Sequence, residues 1–276
     1  MSFKIALIQM HIVGGNKRQN LNHVEDLIAQ AVDHGAELIL LPELMDLGWT
    51  HPSCLTEAEP IPDGEPAARL IHVAGRHKVF ICAGLSERDG NAVYNSAIII
   101  HPDGRVLTKH RKLNELVIGH PYYGQGNRLG VVSTELGDLG LMICADGFAK
   151  DSVISRALGY MGADVILCPS AWAVAADHDN LKSPYGDLWR KAFIPVAKEF
   201  SMWIIAVSNV GAMTAGPWAG RKCIGSSLVI GPTGEEIVQG PYGCEAETIL
   251  YVDIKPTKRP ARGDGWSTYW NEQSTV

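Results

Sequence analysis

No stretch of this 276-residue chain approaches the ~20 consecutive apolar residues of a membrane span, which argues against a spanning helix. Its first residues, Met1-Ser2-Phe3-Lys4-Ile5-Ala6-Leu7-Ile8, lack the long apolar run and small-residue cleavage site of a secretion signal and read as a first strand. None of the six cysteines (Cys54, Cys82, Cys144, Cys168, Cys223, Cys244) forms a C-x-x-C pair, and several lie in apolar runs. Free thiols in a reducing cytoplasm are therefore expected rather than a disulfide framework. The ten histidines show no H-E-x-x-H spacing, so neither a metal nor another cofactor is expected. An excess of positive charge is also missing: the net charge of -6 argues against a general nucleic-acid binder. No linker or low-complexity segment divides the chain. It reads as one domain over 1–276, with an irregular, aromatic tail from about 256 that carries Trp266 and Trp270 and is expected to dock on a partner.

What is present is a hydrophobic content of 46%, laid out as alternating strand-like and helix-like runs. Strands are expected over 4–10, 38–41, 79–85, 93–100, 140–144, 165–168, 203–208, 226–230 and 248–252. Leu21, Val24, Leu27, Ile28, Ala31 and Val32 recur at helical spacing, and His34-Gly35 ends that helix. Further helices are expected over 67–77, 152–161 and 188–200, the last kinked or interrupted by Pro195. Asp89-Gly90-Asn91, Pro102-Asp103-Gly104 and Pro232-Thr233-Gly234 are turn signals.

Three segments bring chemistry to strand ends. Leu38-Ile39-Leu40-Leu41-Pro42-Glu43 ends on an acid, His110-Arg111-Lys112-Leu113-Asn114 is a basic cluster, and Gly140-Leu141-Met142-Ile143-Cys144-Ala145-Asp146 presents a thiol. Opening an amide through a thioester requires a nucleophile, a proton shuttle and a group that holds the oxyanion. A thiolate, a glutamate and an ammonium supply these, with backbone N–H groups after Cys144 assisting. Taken singly, each has an ordinary structural reading: cysteine is among the most buried residue types, and glutamate and lysine usually meet solvent. A cysteine–histidine hydrolase with His110 or His120 as base uses other residues of the same regions.

The three segments, in this order, resemble the nitrilase (carbon–nitrogen hydrolase) superfamily, over nearly the whole chain. Gly162-Ala163-Asp164-Val165-Ile166-Leu167, Pro169-Ser170-Ala171-Trp172, Asn209, Gly211, Gly225, Ser227 and Pro232-Thr233-Gly234 support the match. The resemblance implies an α/β fold, a four-layer α-β-β-α sandwich, assembled as a homodimer or higher homo-oligomer. It implies Glu43 as general base and acid, Lys112 as the oxyanion-holding cation in preference to Lys109, and Cys144 as nucleophile. It places Trp49, Ala145 and Trp172 on the substrate side, with Glu115 beside them as the candidate for a further glutamate that orients the lysine or the substrate in many members, although its spacing differs from the commoner pattern. Family members often carry histidine two positions after the lysine, where Asn114 stands here. Many carry an arginine shortly after the cysteine, where this chain has Gly147 and Phe148. A substrate carboxylate would then fall to Arg111 or Lys150. The expected activity is hydrolysis of a small linear amide. The alternatives are an N-carbamoyl amidohydrolase, a nitrilase (whose cysteine is usually followed by tryptophan, not by a residue such as Ala145) and a non-catalytic binding protein of the same fold.

Overall fold

Strand β1 (Phe3–Gln9) alternates in two directions at once: Ile5 and Leu7 enter one apolar core, Ala6 and Ile8 another. A strand buried on both faces belongs inside a layered structure, and the rest of the chain supplies the layers. The structure is a computed structural model and describes residues 2–257. Trp266 and Trp270, and the docking expected of the tail around them, lie outside the described residues.

In chain order, β1 is followed by α1 (Lys17–Asp33), β2 (Leu38–Leu40), α2 (Cys54–Glu57) and α3 (Glu65–His77). Next come β3 (Phe80–Asp89), β4 (Ala92–Ile100), β5 (Val106–Arg111), β6 (Val131–Thr134) and β7 (Gly137–Leu141). Then follow α4 (Val153–Met161), β8 (Val165–Ser170), β9 (Ala173–Val174), α5 (Asp187–Phe200) and β10 (Trp203–Ser208). The last strands are β11 (Val210–Ala212), β12 (Lys222–Ile224), β13 (Leu228–Ile230), β14 (Glu236–Gln239) and β15 (Thr248–Ile254).

One six-stranded sheet has the order β15-β1-β2-β3-β4-β5, the other β14-β13-β10-β8-β7-β6, and β11-β12-β9 form a small third sheet. The two large sheets pack face to face. Leu38, Leu40, Cys82 and Ile99 of the first share a core with Leu141, Leu167, Ile205 and Val207 of the second. Helices α1 and α3 cover the outer face of the first sheet through Leu21, Val24, Ile28, Leu70 and Ala74. Helices α4 and α5 cover the second through Leu158, Phe193 and Val196. This is the four-layer α-β-β-α sandwich.

Within each sheet the central strands run parallel: β1, β2 and β3 in one, β7, β8 and β10 in the other. Ligands of parallel sheets bind beyond the carboxyl ends of the strands. The segments after β2, β7 and β8 share one end of the sandwich: the Glu43 N–H lies 3.3 Å from the Ser170 carbonyl, and Glu43, Cys144 and Ala171 line one cavity.

Three expectations are corrected. The strand expected over 140–144 stops at Leu141, because Cys144 adopts φ 43° and opens a 3₁₀ turn, Cys144–Phe148. The strand expected from Ser226 starts at Leu228, since Ser226 is also left-handed, at φ 59°. Of the kink or interruption expected at Pro195, the interruption does not occur: helix α5 runs on to Phe200. Pro195 and Lys191, whose carbonyl loses its i+4 donor, both lie on the solvent face, while Phe193, Val196 and Ala197 anchor the other face.

Candidate active site

Glu43 follows β2 by three residues, and the chain turns sharply there, with Leu44 at φ 48°. The turn rests directly on β3: a Cβ on Gly84 would stand 2.6 Å from the Glu43 Cα and 2.6 Å from the Pro42 oxygen. Only glycine allows this approach. Lys112 follows β5 directly, and its N–H donates to the Asn95 carbonyl at 2.8 Å. Cys144 follows β7 by three residues, in the left-handed region that non-glycine residues rarely occupy.

These side chains meet. Lys112 Nζ donates to Glu43 Oε1 at 2.7 Å and to Glu115 Oε1 at 3.1 Å. Asn95 Nδ2 lies 2.6 Å from Glu43 Oε1 and 2.9 Å from Glu115 Oε2. Glu43, Asn95, Lys112 and Glu115 are all buried, so their charges are weakly screened. Burial raises the Glu43 carboxyl above the usual glutamate range, against the opposing pull of Lys112. Burial works against the Lys112 ammonium, yet the Glu43 and Glu115 carboxylates hold it protonated above the usual lysine range. The Cys144 thiol is pushed well above the usual cysteine range, first by burial and then by the Glu43 carboxylate, with Lys112 and the Ala171 backbone N–H opposing. The resting thiol is therefore neutral.

Glu43, Lys112 and Cys144 line one cavity of about 260 Å³. Trp49, Ala145 and Trp172 line it as well. Glu115, expected on the substrate side, is not part of the wall. Its Oε1 accepts from Lys112 and the Leu116 N–H, its Oε2 from Asn95, so it sits behind Lys112 and fixes the ammonium. Lys109 turns away to Glu87. Arg111 is bound to Glu87 and Asp89 and stacks on Tyr94, and Lys150 is exposed outside the wall, so neither reaches the cavity to take a substrate carboxylate.

The histidines considered as bases are engaged elsewhere. His110 Nε2 pairs with Asp146 Oδ2 at 2.7 Å and its Nδ1 faces the Arg128 carbonyl at 3.2 Å. His120 is exposed, with Nε2 at 3.2 Å from the Glu115 carbonyl. Among the described residues, no group of three or more histidine, cysteine or acidic side chains is placed to hold a metal ion.

Sequence reasoning missed Asn95, whose signal is an amide inside the apolar strand β4. It also missed Phe148, Tyr185, Trp189 and Trp218, which complete an aromatic wall. These come from three separate segments, around Phe148, Tyr185 with Trp189, and Trp218, and nothing in the sequence announces that the three converge.

The profile of the carbon–nitrogen hydrolase family matches residues 4–262. A protein named nitrilase from Pyrococcus abyssi is 34% identical over 256 residues, covering 91% of this chain and 90% of its own length. A chloroplastic omega-amidase of Arabidopsis thaliana is 29% identical, covering 95% of this chain and 73% of its own. The crystal structure of a carbon–nitrogen hydrolase from Helicobacter pylori superposes with a TM-score of 0.81 at 24% identity, over 92% of this chain and 89% of that one. With a family match that runs almost end to end and a shared four-layer fold, the chain belongs to the carbon–nitrogen hydrolase family.

Proposed function

We propose that this enzyme hydrolyses a small linear amide through a thioester on Cys144, with Glu43 as proton shuttle and Lys112 as oxyanion holder. The observation that carries the reading is the buried Glu43–Lys112 pair, 2.7 Å apart, on the wall of the cavity that Cys144 also lines. The neutral thiol gives its proton to Glu43 as Sγ bonds to the amide carbon, and the carbonyl electrons move onto oxygen. Lys112 Nζ and backbone N–H groups after Cys144 hold that oxyanion. Collapse expels the amine, which takes the proton from Glu43, and leaves the thioester. Water then attacks, giving its proton to Glu43, and the second collapse returns this proton to the departing Cys144 sulfur.

An amide is favoured over a nitrile because Ala145 follows the nucleophile, though the name of the Pyrococcus relative keeps nitriles in the test. N-carbamoyl amines use the same machinery. Ammonia release across amides, N-carbamoyl amines and nitriles decides among them. Amide turnover that disappears in Cys144→Ala is expected, and amide turnover that survives in that variant refutes the reading.

Assembly into at least a homodimer and residence in the cytoplasm belong to the same proposal. Exposed Val153, Tyr160 and Met161 on α4 and six unpaired thiols support them. A monomer by light scattering at micromolar concentration removes the assembly part.

A further inference from the structure

Resting on the amidase reading, we infer that the preferred substrate is an uncharged amide with a flat apolar acyl group, of about the size of phenylacetamide, and that amides bearing a carboxylate are disfavoured. The first support is the wall beside Cys144. Phe148 lies 4.1 Å from Trp189, centroid to centroid, and Trp189 stacks on Trp172 at 4.5 Å and 23°. Tyr185 continues the row, 5.9 Å from Trp172. All four rings line the cavity, and Trp49 and Trp218 form a second, edge-on pair in its wall at 5.0 Å. Such a wall suits an apolar ring, and its two indole N–H groups without a partner, Trp49 Nε1 and Trp172 Nε1, are neutral donors that bring no positive charge to an anion.

The second support is charge. Among the described residues, Lys112 is the one cation in the wall, and it already serves the two carboxylates of Glu43 and Glu115. A substrate carboxylate would be a third anion around one ammonium, in a site where charges are weakly screened. Arg221 covers the Trp218 ring at 4.3 Å without joining the wall. The third support is the rim, where Leu116 and Leu188 line the cavity and remain 38% and 63% exposed. An acyl group longer than the cavity therefore leaves across apolar surface. The volume of about 260 Å³ falls just below the ~300–1,000 Å³ of pockets for drug-sized ligands, which limits the substrate to a small molecule.

The test compares kcat/KM for phenylacetamide and for succinamate, a linear amide with a carboxylate, in the wild type and in Leu188→Arg, whose substituted side chain is exposed enough to leave the fold intact. Phenylacetamide is expected to be favoured by roughly 100-fold or more. Leu188→Arg is expected to narrow that gap mainly through a lower KM for succinamate. Equal or reversed preference in the wild type, with turnover that still requires Cys144, overturns this inference and leaves the amidase reading standing. Turnover of no amide at all overturns the amidase reading, and tryptophan fluorescence titration then decides the inference: quenching by phenylacetamide alone supports it, and quenching by neither compound or by succinamate alone overturns it.

Discussion

Nε2 of His110 lies 2.7 Å from Oδ2 of Asp146, and both side chains are buried. The same carboxylate accepts the Ile143 N–H at 2.9 Å, the Leu113 N–H at 3.0 Å and the Asn114 N–H at 2.7 Å. Asp146 thus ties the turn that presents Cys144 to the loop that follows Lys112. Asn114, standing where relatives often have histidine, adds a further tie by donating from Nδ2 to the Ala145 carbonyl at 2.6 Å.

Asp146→Ala leaves the buried Ile143 N–H, the half-buried Leu113 and Asn114 N–H groups and a buried imidazole without their acceptor. Each such orphan costs about 1–3 kcal/mol. Denaturant unfolding is expected to show a loss of several kcal/mol, and the folded fraction to turn over amide more slowly. Unchanged stability in this variant would contradict the tie.

Lys112→Met removes the ammonium from between two carboxylates. Turnover is expected to fall by on the order of 10²–10³, the usual cost of a lost oxyanion donor. Glu115→Gln keeps the ammonium but loosens it, so a smaller loss, expressed mainly in kcat, is expected. Steady-state rates measured after circular dichroism has shown each variant folded check both values. A folded Lys112→Met enzyme at near wild-type turnover would refute the role.

Much of this was legible beforehand, for identifiable reasons. Helix α1 announced itself because its apolar residues recur on one face and Gly35, at φ 81°, ends it. The hairpin from β3 to β4 followed from Gly90-Asn91, which form its two-residue loop. The short strands β6, β9, β11, β12 and β14 were not legible, because two to four residues are too few to carry a period. The turn at Cys144 was hidden for another reason. Met142 and Ile143 are apolar and fully buried, as a strand would be, yet the backbone there is directed by the side chain of Asp146. Glu43, Lys112 and Cys144 were found as separate strand ends, whereas Asn95, which touches both Glu43 and Glu115, needed the fold.

The pH profile of kcat/KM should show an acid limb governed by Glu43. In the proposed mechanism Glu43 acts from its deprotonated form, and burial raises its carboxyl above the usual glutamate value of ~4.3. Activity is therefore lost on the acid side at a pH higher than an exposed glutamate would give. A limb at or below ~4.3 would contradict the assignment of Glu43 as the base.

Asp46 governs stability rather than turnover. It is buried beside the Ser86 N–H and hydroxyl, and burial pushes it up to about 6. Between the ordinary aspartate value of ~3.9 and about 6, the folded state holds a proton that the unfolded state has released. This contribution is fully present below ~3.9 and is lost as pH rises through about 6, on the order of 2–3 kcal/mol in all. Unfolding measured across that window should show the decline in the wild type and a flatter curve in Asp46→Asn. Identical curves would remove the prediction.

The central claim is that Cys144 carries the acyl group. Intact-mass spectrometry of the wild type, quenched during turnover of a slow amide, should show a mass increase equal to the acyl group, and peptide mapping should place it on Cys144. The folded Cys144→Ala variant should gain no mass and release no ammonia. Turnover by that variant, or an acyl group found on another residue, would contradict the account.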